Sequence, residues 1–262
     1  PVTLHFSSEV RLFAPGASRP VEIEVKANRA GAAGTLQLDV PPGWKVAPAN
    51  QTFNFGAVGE TAKLTFTVTA GMDRGTRGIT ATATVNGQRF DNDRVVIHYD
   101  HIPLQLLQPT ARLTAVDLDL AIRGQKVGYL AGAGDDVGEC LAQMGYAVTT
   151  LAGADLTPEK LKDLDAVVIG VRAFNERTDL AANLPGLFAY VEAGGTVIAQ
   201  YNRPDRLRTT RLGPYDLSIQ GPAPALRVTD ENAPVTELVP DSPVFTTPNR
   251  IGPADFNGWV QE

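Results

Sequence analysis

The chain has 262 residues, 43% hydrophobic and 20% charged, a balance that excludes a disordered polypeptide and leaves room for two separate cores. Its net charge of −6 argues against a nucleic-acid surface, because phosphate binding needs a basic field. No apolar run approaches the roughly 20 residues of a membrane-spanning helix, and one cysteine cannot form an internal disulfide.

From the start of the chain, apolar residues recur every second position. Leu36, Leu38 and Val40 form one set; Leu64, Phe66 and Val68 form another; Ile79, Ala81, Ala83 and Val85, then Val95, Ile97 and Tyr99, follow. This period predicts strands with one buried face, divided by turn signals, as in a β-sandwich over residues 1–102. Asn86-Gly87 predicts a type I′ hairpin turn, which needs positive φ at both central residues. Trp44, delivered by Pro41-Pro42-Gly43, is either a core plug or a surface for a sugar ring. His98-Tyr99-Asp100-His101 reads as a strand end entering a linker, because alternation along a strand lets only two of its three ligands converge.

Residues 103–123, opened by Pro103 and Pro109, are expected to be a linker, and residues 124–262 a second domain. There Lys126–Leu130, Ala147–Leu151, Ala166–Gly170 and Thr196–Tyr201 read as strands. Helices are expected at Asp135–Met144, from Thr157-Pro158 onward, and at Leu184–Glu192 before Gly194-Gly195. The alternating order predicts a flavodoxin-like doubly wound α/β sheet. A Pro-rich wrap follows from Pro214 to Pro253, with one more strand at Ala225–Val228.

All three histidines, His5, His98 and His101, precede residue 102, so the second half has no imidazole for a triad or a metal. Cys140 falls mid-helix between Glu139 and Leu141, not on a nucleophile elbow, and reads as a half-buried core thiol. Gly132-Ala133-Gly134-Asp135-Asp136-Val137 places Val137 where a dinucleotide fingerprint wants a small residue, and its two carboxylates would repel a pyrophosphate. Asp135 is expected to cap the helix instead.

In open α/β sheets, ligands bind at the carboxyl ends of the strands. The polar residues expected there are Asp135 and Asp136 after the first strand, Arg172 and Asn175 after the third, and Gln200, Tyr201, Asn202 and Arg203 after the fourth. Carboxylates, amides, a phenol and guanidinium groups on one rim suit a hydroxyl-rich ligand such as a glycan. The alternative is that they satisfy one another and the loop backbones. Arg203, Arg206, Arg208 and Arg211 form a basic loop, read as solvated or as a contact for an anionic ligand or an acidic domain.

Two resemblances accompany these readings. Val40-Pro41-Pro42-Gly43-Trp44-Lys45-Val46, Phe53-Asn54-Phe55-Gly56 and Gly59-Glu60 resemble the immunoglobulin-like sandwich modules that accompany bacterial glycosidases. Gly132-Ala133-Gly134-Asp135, the run from Leu164 to Asn175, Gly194 to Asn202, Arg227 to Glu231, and Pro248-Asn249-Arg250-Ile251 with Asp255 to Glu262 stand in series. That series is similar to the C-terminal region of bacterial PIG-L (LmbE-like) deacetylases. There a zinc-dependent N-acetylglucosamine deacetylase domain precedes a sandwich and a class I glutamine-amidotransferase-like domain.

The resemblance implies a chain that is one piece of a longer, extracytoplasmic protein, with the deacetylase domain as its intramolecular partner. The family's His-Pro-Asp-Asp motif is missing here, since Asp135-Asp136 has no His-Pro before it. Zinc is therefore expected in the deacetylase domain, and neither a catalytic nor a metal-binding residue is carried over to this chain. A non-catalytic accessory region that positions or recognises glycan is the expected function. The rivals are an autonomous carboxylate hydrolase using Asp135 with Asp136 or Asp230 with Glu231, and a purely structural oligomerisation module.

Overall fold

A computed structural model describes residues 1–219, 230 and 233–257, which divide into two compact units, Pro1–Leu120 and Ala121–Glu262. The expected architecture, an immunoglobulin-like sandwich followed by a flavodoxin-like doubly wound domain, is overturned. The described residues form a mixed, sheet-rich fold of several sheets, with 36% strand, 16% helix and five α-helices. The reasons lie in the elements of each unit.

In the first unit, β1 (Val2–Phe6), β3 (Ser18–Ala27), β7 (Thr61–Thr69) and β5 (Lys45–Ala47) form one sheet in that order. A second sheet runs β2 (Val10–Phe13), β12 (Arg112–Asp117), β8 (Gly75–Val85), β4 (Ala33–Asp39), β6 (Gln51–Asn54), with β9 (Gln88–Phe90) paired to β8. Leu4, Ile23, Val25 and Phe66 of the first sheet share one apolar core with Phe13, Leu36, Ile79, Leu113 and Ala115 of the second. Full burial of such a side chain contributes about 1.5–3 kcal/mol. Trp44 belongs to this core and meets Phe13 edge-on at 4.9 Å between ring centroids. Asn86 and Gly87 take φ of 51° and 76° between β8 and β9, the turn their sequence predicts.

Two features depart from the expected sandwich. The pair β2–β12 is parallel. A separate ribbon of β10 (Val95–Ile97) and β11 (Gln105–Leu107) stands outside both sheets. The segment expected as a linker is thus structured: β11 completes the ribbon, and β12 fills the second sheet between β2 and β8. Leu113, Ala115 and Asp117 are its buried residues, and the carboxylate among them breaks the apolar alternation.

Asp117 is 1% exposed, and neither carboxyl oxygen has a hydrogen-bond partner. Burial raises its pKa, against the pull of the Arg77 and Arg74 charges. A raised folded-state pKa favours the fold only below the unfolded carboxyl value, near 4, and that contribution is lost as pH climbs through the folded value. At neutral pH the ionised group opposes folding. Asp117→Asn is therefore expected to stabilise the protein by about 1 kcal/mol at pH 7, and by nothing below pH of about 3, where both states are protonated. Urea unfolding at the two pH values reads this; equal midpoints for variant and parent at pH 7 contradict it.

In the second unit, β14 (Ala147–Thr150), β13 (Lys126–Leu130), β15 (Ala166–Ile169) and β16 (Thr196–Ala199) form one parallel sheet in that order. The helices are α1 (Val137–Met144), α2 (Pro158–Leu161), α3 (Ala173–Glu176), α4 (Leu180–Glu192) and α5 (Pro243–Thr246). A doubly wound sheet needs helices over both faces. Here α2, α3 and α5 are single turns of four residues. One side of the sheet carries a core built from Leu130, Val167, Ile169, Phe174, Leu184 and Leu187, to which α4 contributes most. The other carries a smaller core of Val127, Tyr129 and Val168, against which Val137 and Leu141 of α1 pack only partly buried. Ile198 of β16 remains 54% exposed. The strand expected at Ala225–Val228 lies outside the described residues.

Local chemistry explains the helix ends. Gly145 closes α1 at φ 114°, a left-handed position that glycine occupies without strain. Pro158 opens α2 at its first position as expected, but the Thr157 side chain caps nothing. α4 begins at Leu180, one turn before the expected Leu184, and holds Pro185 inside it because Leu180, Leu184 and Leu187 all reach the core.

Candidate functional site

At the carboxyl ends of the strands, the loops after β13 and β15 approach closely. A Cβ on Gly132 would lie 2.0 Å from the Val171 carbonyl oxygen, so only glycine fits there, and Ala133 N–H donates to that same oxygen at 2.8 Å. This contact brings Asp135 beside the chain after β15. Its Oδ1 accepts from the Tyr129 hydroxyl and from Val137 N–H (3.0 Å), and its Oδ2 accepts from Val171 N–H (3.1 Å). One carboxylate thus ties together β13, the start of α1 and the β15 loop.

Burial works against the charge on Asp135, but its three donors outweigh burial and hold the carboxyl below the ordinary range. Burial and the same carboxylate push the Tyr129 phenol far above its usual value, so it stays a donor. Asp135 accepts from the first amide of α1 but lies one residue ahead of its N-cap, so it does not hold the capping position expected of it. Asp136, in the N-cap position of α1, is exposed and makes no side-chain cap.

On the other side of β15, the polar residues bind the β16 loop. Asn175, 7% exposed, donates to the carbonyls of Arg203 (3.0 Å) and Asp205 (2.9 Å) and accepts from Arg203 N–H (2.9 Å). Asn202, equally buried, accepts from Phe174 N–H at 3.0 Å and donates to the Gln200 carbonyl at 2.8 Å. These two amides act as struts between loops. Gln200 keeps a buried Nε2 without a partner.

Arg172 has φ 56°, an uncommon left-handed conformation for a side-chain-bearing residue, and its N–H donates to the Tyr201 carbonyl at 2.7 Å. The side chains of Arg172, Tyr201 and Arg203 are exposed, Tyr201 at 63%. Arg203 pairs with Asp205 at 2.9 Å. The basic loop is mostly engaged: Arg208 Nε donates to the Asn175 carbonyl at 2.9 Å, and Arg211 stacks on Phe188 with its guanidinium carbon 4.8 Å from the ring centroid.

Neither protein-family models nor curated proteins match this chain.

Sequence reasoning missed a strut at the same edge. Arg177 grips both oxygens of Asp179, at 2.9 and 2.6 Å, and donates to the Ala131 carbonyl at 3.0 Å. Asp179 also accepts from Gly153 N–H at 2.7 Å. The Arg177 guanidinium, against partial burial, holds the Asp179 carboxyl below its usual range. The signal was present as Arg177-Thr178-Asp179, a guanidinium and a carboxylate two residues apart ahead of a helix, although the Asp179 side chain caps none of the α4 amides.

Cys140 is exposed on α1, not half-buried as expected. Desolvation of its sulfur and the carboxylates of Glu139, Asp136 and Asp135 raise the thiol pKa, which lowers the reactive thiolate fraction. Among the described residues, no three His, Cys, Asp or Glu side chains group to hold a metal, and both oxygens of Asp135 are taken by donors. These residues do not fit a zinc centre. His98 and His101 lie exposed beyond β10, where the His101 ring faces Tyr99 at 5.8 Å. Glu231, the partner envisaged for Asp230, lies outside the described residues. No helix among the described residues is long and apolar enough to cross a membrane.

Proposed function

We propose that this chain is a non-catalytic accessory region that binds glycan at the carboxyl edge of its parallel sheet and positions it for a PIG-L-type N-acetylglucosamine deacetylase domain of the same parent protein. The ordered motif series in the sequence from Gly132 to Glu262 supports the association. The observation that carries the non-catalytic reading is the immobilisation of Asp135. A general acid or base must exchange its proton with substrate, and this carboxylate spends both oxygens on three internal donors that keep it ionised. The same bonding disfavours an autonomous hydrolase built on Asp135 and Asp136.

The side chains left to face a ligand are Asp136, Arg172, Tyr201 and Arg203. They supply an acceptor, two guanidinium donors and an aromatic face, the mixture that a pyranose ring and its hydroxyls require. The struts Asn175 and Asn202 keep the loop rigid, which limits the entropy lost on binding.

Isothermal titration of an N-acetylglucosamine tetramer into the chain tests the reading. Saturable binding is expected, weakened at least about tenfold by Tyr201→Ala, consistent with an aromatic anchor, while the unfolding midpoint stays unchanged. Absence of saturable heat removes the glycan. Deacetylation of the tetramer by this chain, with or without added zinc, would remove the non-catalytic assignment.

A further inference from the structure

The outer face of the first sheet carries a polar groove. β1 turns Val2, Leu4 and Phe6 into the core and leaves Thr3 and His5 outward, and β3 buries Val25 and Ala27 while leaving Glu24 and Lys26 outward. The antiparallel register sets Thr3 opposite Lys26 and His5 opposite Glu24, so these four side chains make one floor. The chain that leads into β10 makes the wall. Leu4 N–H donates to the Asn92 carbonyl at 3.0 Å, and Asp93 N–H to the Pro109 carbonyl at 2.8 Å, which fixes Asp93 and Arg94 beside β1. Floor and wall enclose about 460 Å³, the size of a small-molecule site, and Val96 supplies its one apolar side chain.

We propose that this groove binds a sugar acid, a small molecule that joins one carboxylate to several hydroxyls. The division of labour among its charges selects that ligand. Asp93 is already spent: its Oδ1 accepts from Arg94 N–H at 2.6 Å and its Oδ2 from His5 Nδ1 at 2.8 Å. Since a carboxylate only accepts, Nδ1 carries the proton, and Nε2 of the neutral ring is left as an acceptor. Among the described residues, neither Lys26 nor the Arg94 guanidinium has an ion-pair partner. Two unpaired cations in one concave site draw an anion between them. Asn28 aims the guanidinium by accepting from Nη1 at 3.5 Å, and its own amide donates to Thr3 Oγ1 at 3.3 Å, so the Thr3 hydroxyl proton stays free. Glu24 is the counterweight. Its carboxylate makes no hydrogen bond or ion pair among the described residues, because Lys63 opposite it is held by Glu22 at 3.0 Å. A free carboxylate here penalises a doubly charged anion such as a phosphate monoester, yet it accepts from hydroxyls. One ligand carboxylate on Lys26 and Arg94, with hydroxyls on Glu24, His5 and Thr3, satisfies every group. The inference is independent of the glycan reading, since none of these residues lies in the second unit.

Titration of the chain with D-glucuronate, followed by the NMR shifts of its backbone amides, is the test. Saturable shifts at Thr3, His5, Lys26 and Arg94 are expected, and none with D-glucose over the same concentrations. Lys26→Gln and Arg94→Gln are each expected to weaken glucuronate at least about tenfold, the loss of one charge-assisted hydrogen bond. The spectrum of each variant also reports its fold. Lys160→Gln removes the same charge from an exposed residue of the second unit and is expected to leave the affinity unchanged. Tyr201→Ala is expected to leave it unchanged too, so this proposal and the glycan reading fail separately. Absence of saturable shifts overturns the proposal, as does binding indifferent to both glutamines. Glucose binding as tightly as glucuronate overturns the carboxylate contact, and acetate or glycine doing so overturns the hydroxyl contacts.

Discussion

Asp135→Ala is expected to destabilise the second unit by about 3 kcal/mol at neutral pH, because it strands three donors at once and each orphaned donor costs about 1–3 kcal/mol. The Tyr129 hydroxyl loses its acceptor inside a 6% exposed residue, and the amides of Val137 and Val171 lose theirs at the start of α1 and after β15. The pH dependence follows from the direction of the shift. A carboxyl whose folded pKa is lowered stabilises the fold above the unfolded value, near 4, and that contribution is lost as pH falls through the folded value. Parent and variant should therefore differ most at pH 7 and converge in acid. Asp135→Asn keeps one acceptor but turns an amide toward a donor, and should fall between the two. Urea unfolding followed by tyrosine fluorescence measures all three; a variant within about 0.5 kcal/mol of the parent, the range of ordinary surface substitutions, means that the carboxylate is not the clasp described here.

The elements were legible in the sequence where one local rule was enough. The strands β13, β14, β15 and β16 lie within the runs that period and composition mark, and Asn86-Gly87 turns as a two-residue hairpin must. What failed depends on residues far apart. β12 hides in a segment that reads as linker from Pro103 and Pro109, and its inward set ends in Asp117, a carboxylate facing a core. Its partners, β2 and β8, begin about a hundred and about forty residues earlier, so no local pattern pairs them. The doubly wound expectation failed for a different reason. Helical spacing shows that a segment can turn, not that the turn continues, and the helix expected from Thr157-Pro158 onward stops after four residues at Leu161.

The candidate site shows the same division. The residue types at the strand ends could be read directly, including Asp135, Arg172, Asn175 and Tyr201. Their division of labour could not. Asn175 and Asn202 look like ligand groups in sequence, yet they bond across about 28 residues to each other's loops. Asp135 finds its acceptor role through Val171, 36 residues away. Buried polar groups are satisfied almost without exception, so a polar residue predicted at a crevice is first a candidate strut. Exposure then separates struts from ligand groups, and exposure is a property of the folded chain.

Gly186→Ala is expected to destabilise the second unit by about 3 kcal/mol, although alanine is the better helix former by about 1 kcal/mol. The cause is steric. A Cβ built on Gly186 lies 1.8 Å from the carbonyl oxygen of Leu156, and a backbone atom cannot rotate away as a side chain can. The helix α4 must then withdraw from the turn ahead of α2. Leu156, Leu161, Leu184 and Leu187 pack there, each buried to 2% exposure or less, and a gap among them forfeits packing on both sides. The displacement should reach the rim, since Phe174 of α3 shares this core and its amide holds Asn202. Affinity for the proposed glycan is thus expected to fall together with stability in Gly186→Ala, whereas Tyr201→Ala is expected to lower affinity alone. Gly252→Ala is the matching control, with open space where its Cβ would stand, and should be neutral. Should Gly186→Ala unfold at the same urea concentration as the parent, α4 does not press on the Leu156 carbonyl, and the rigid support assigned to the rim is lost with that contact.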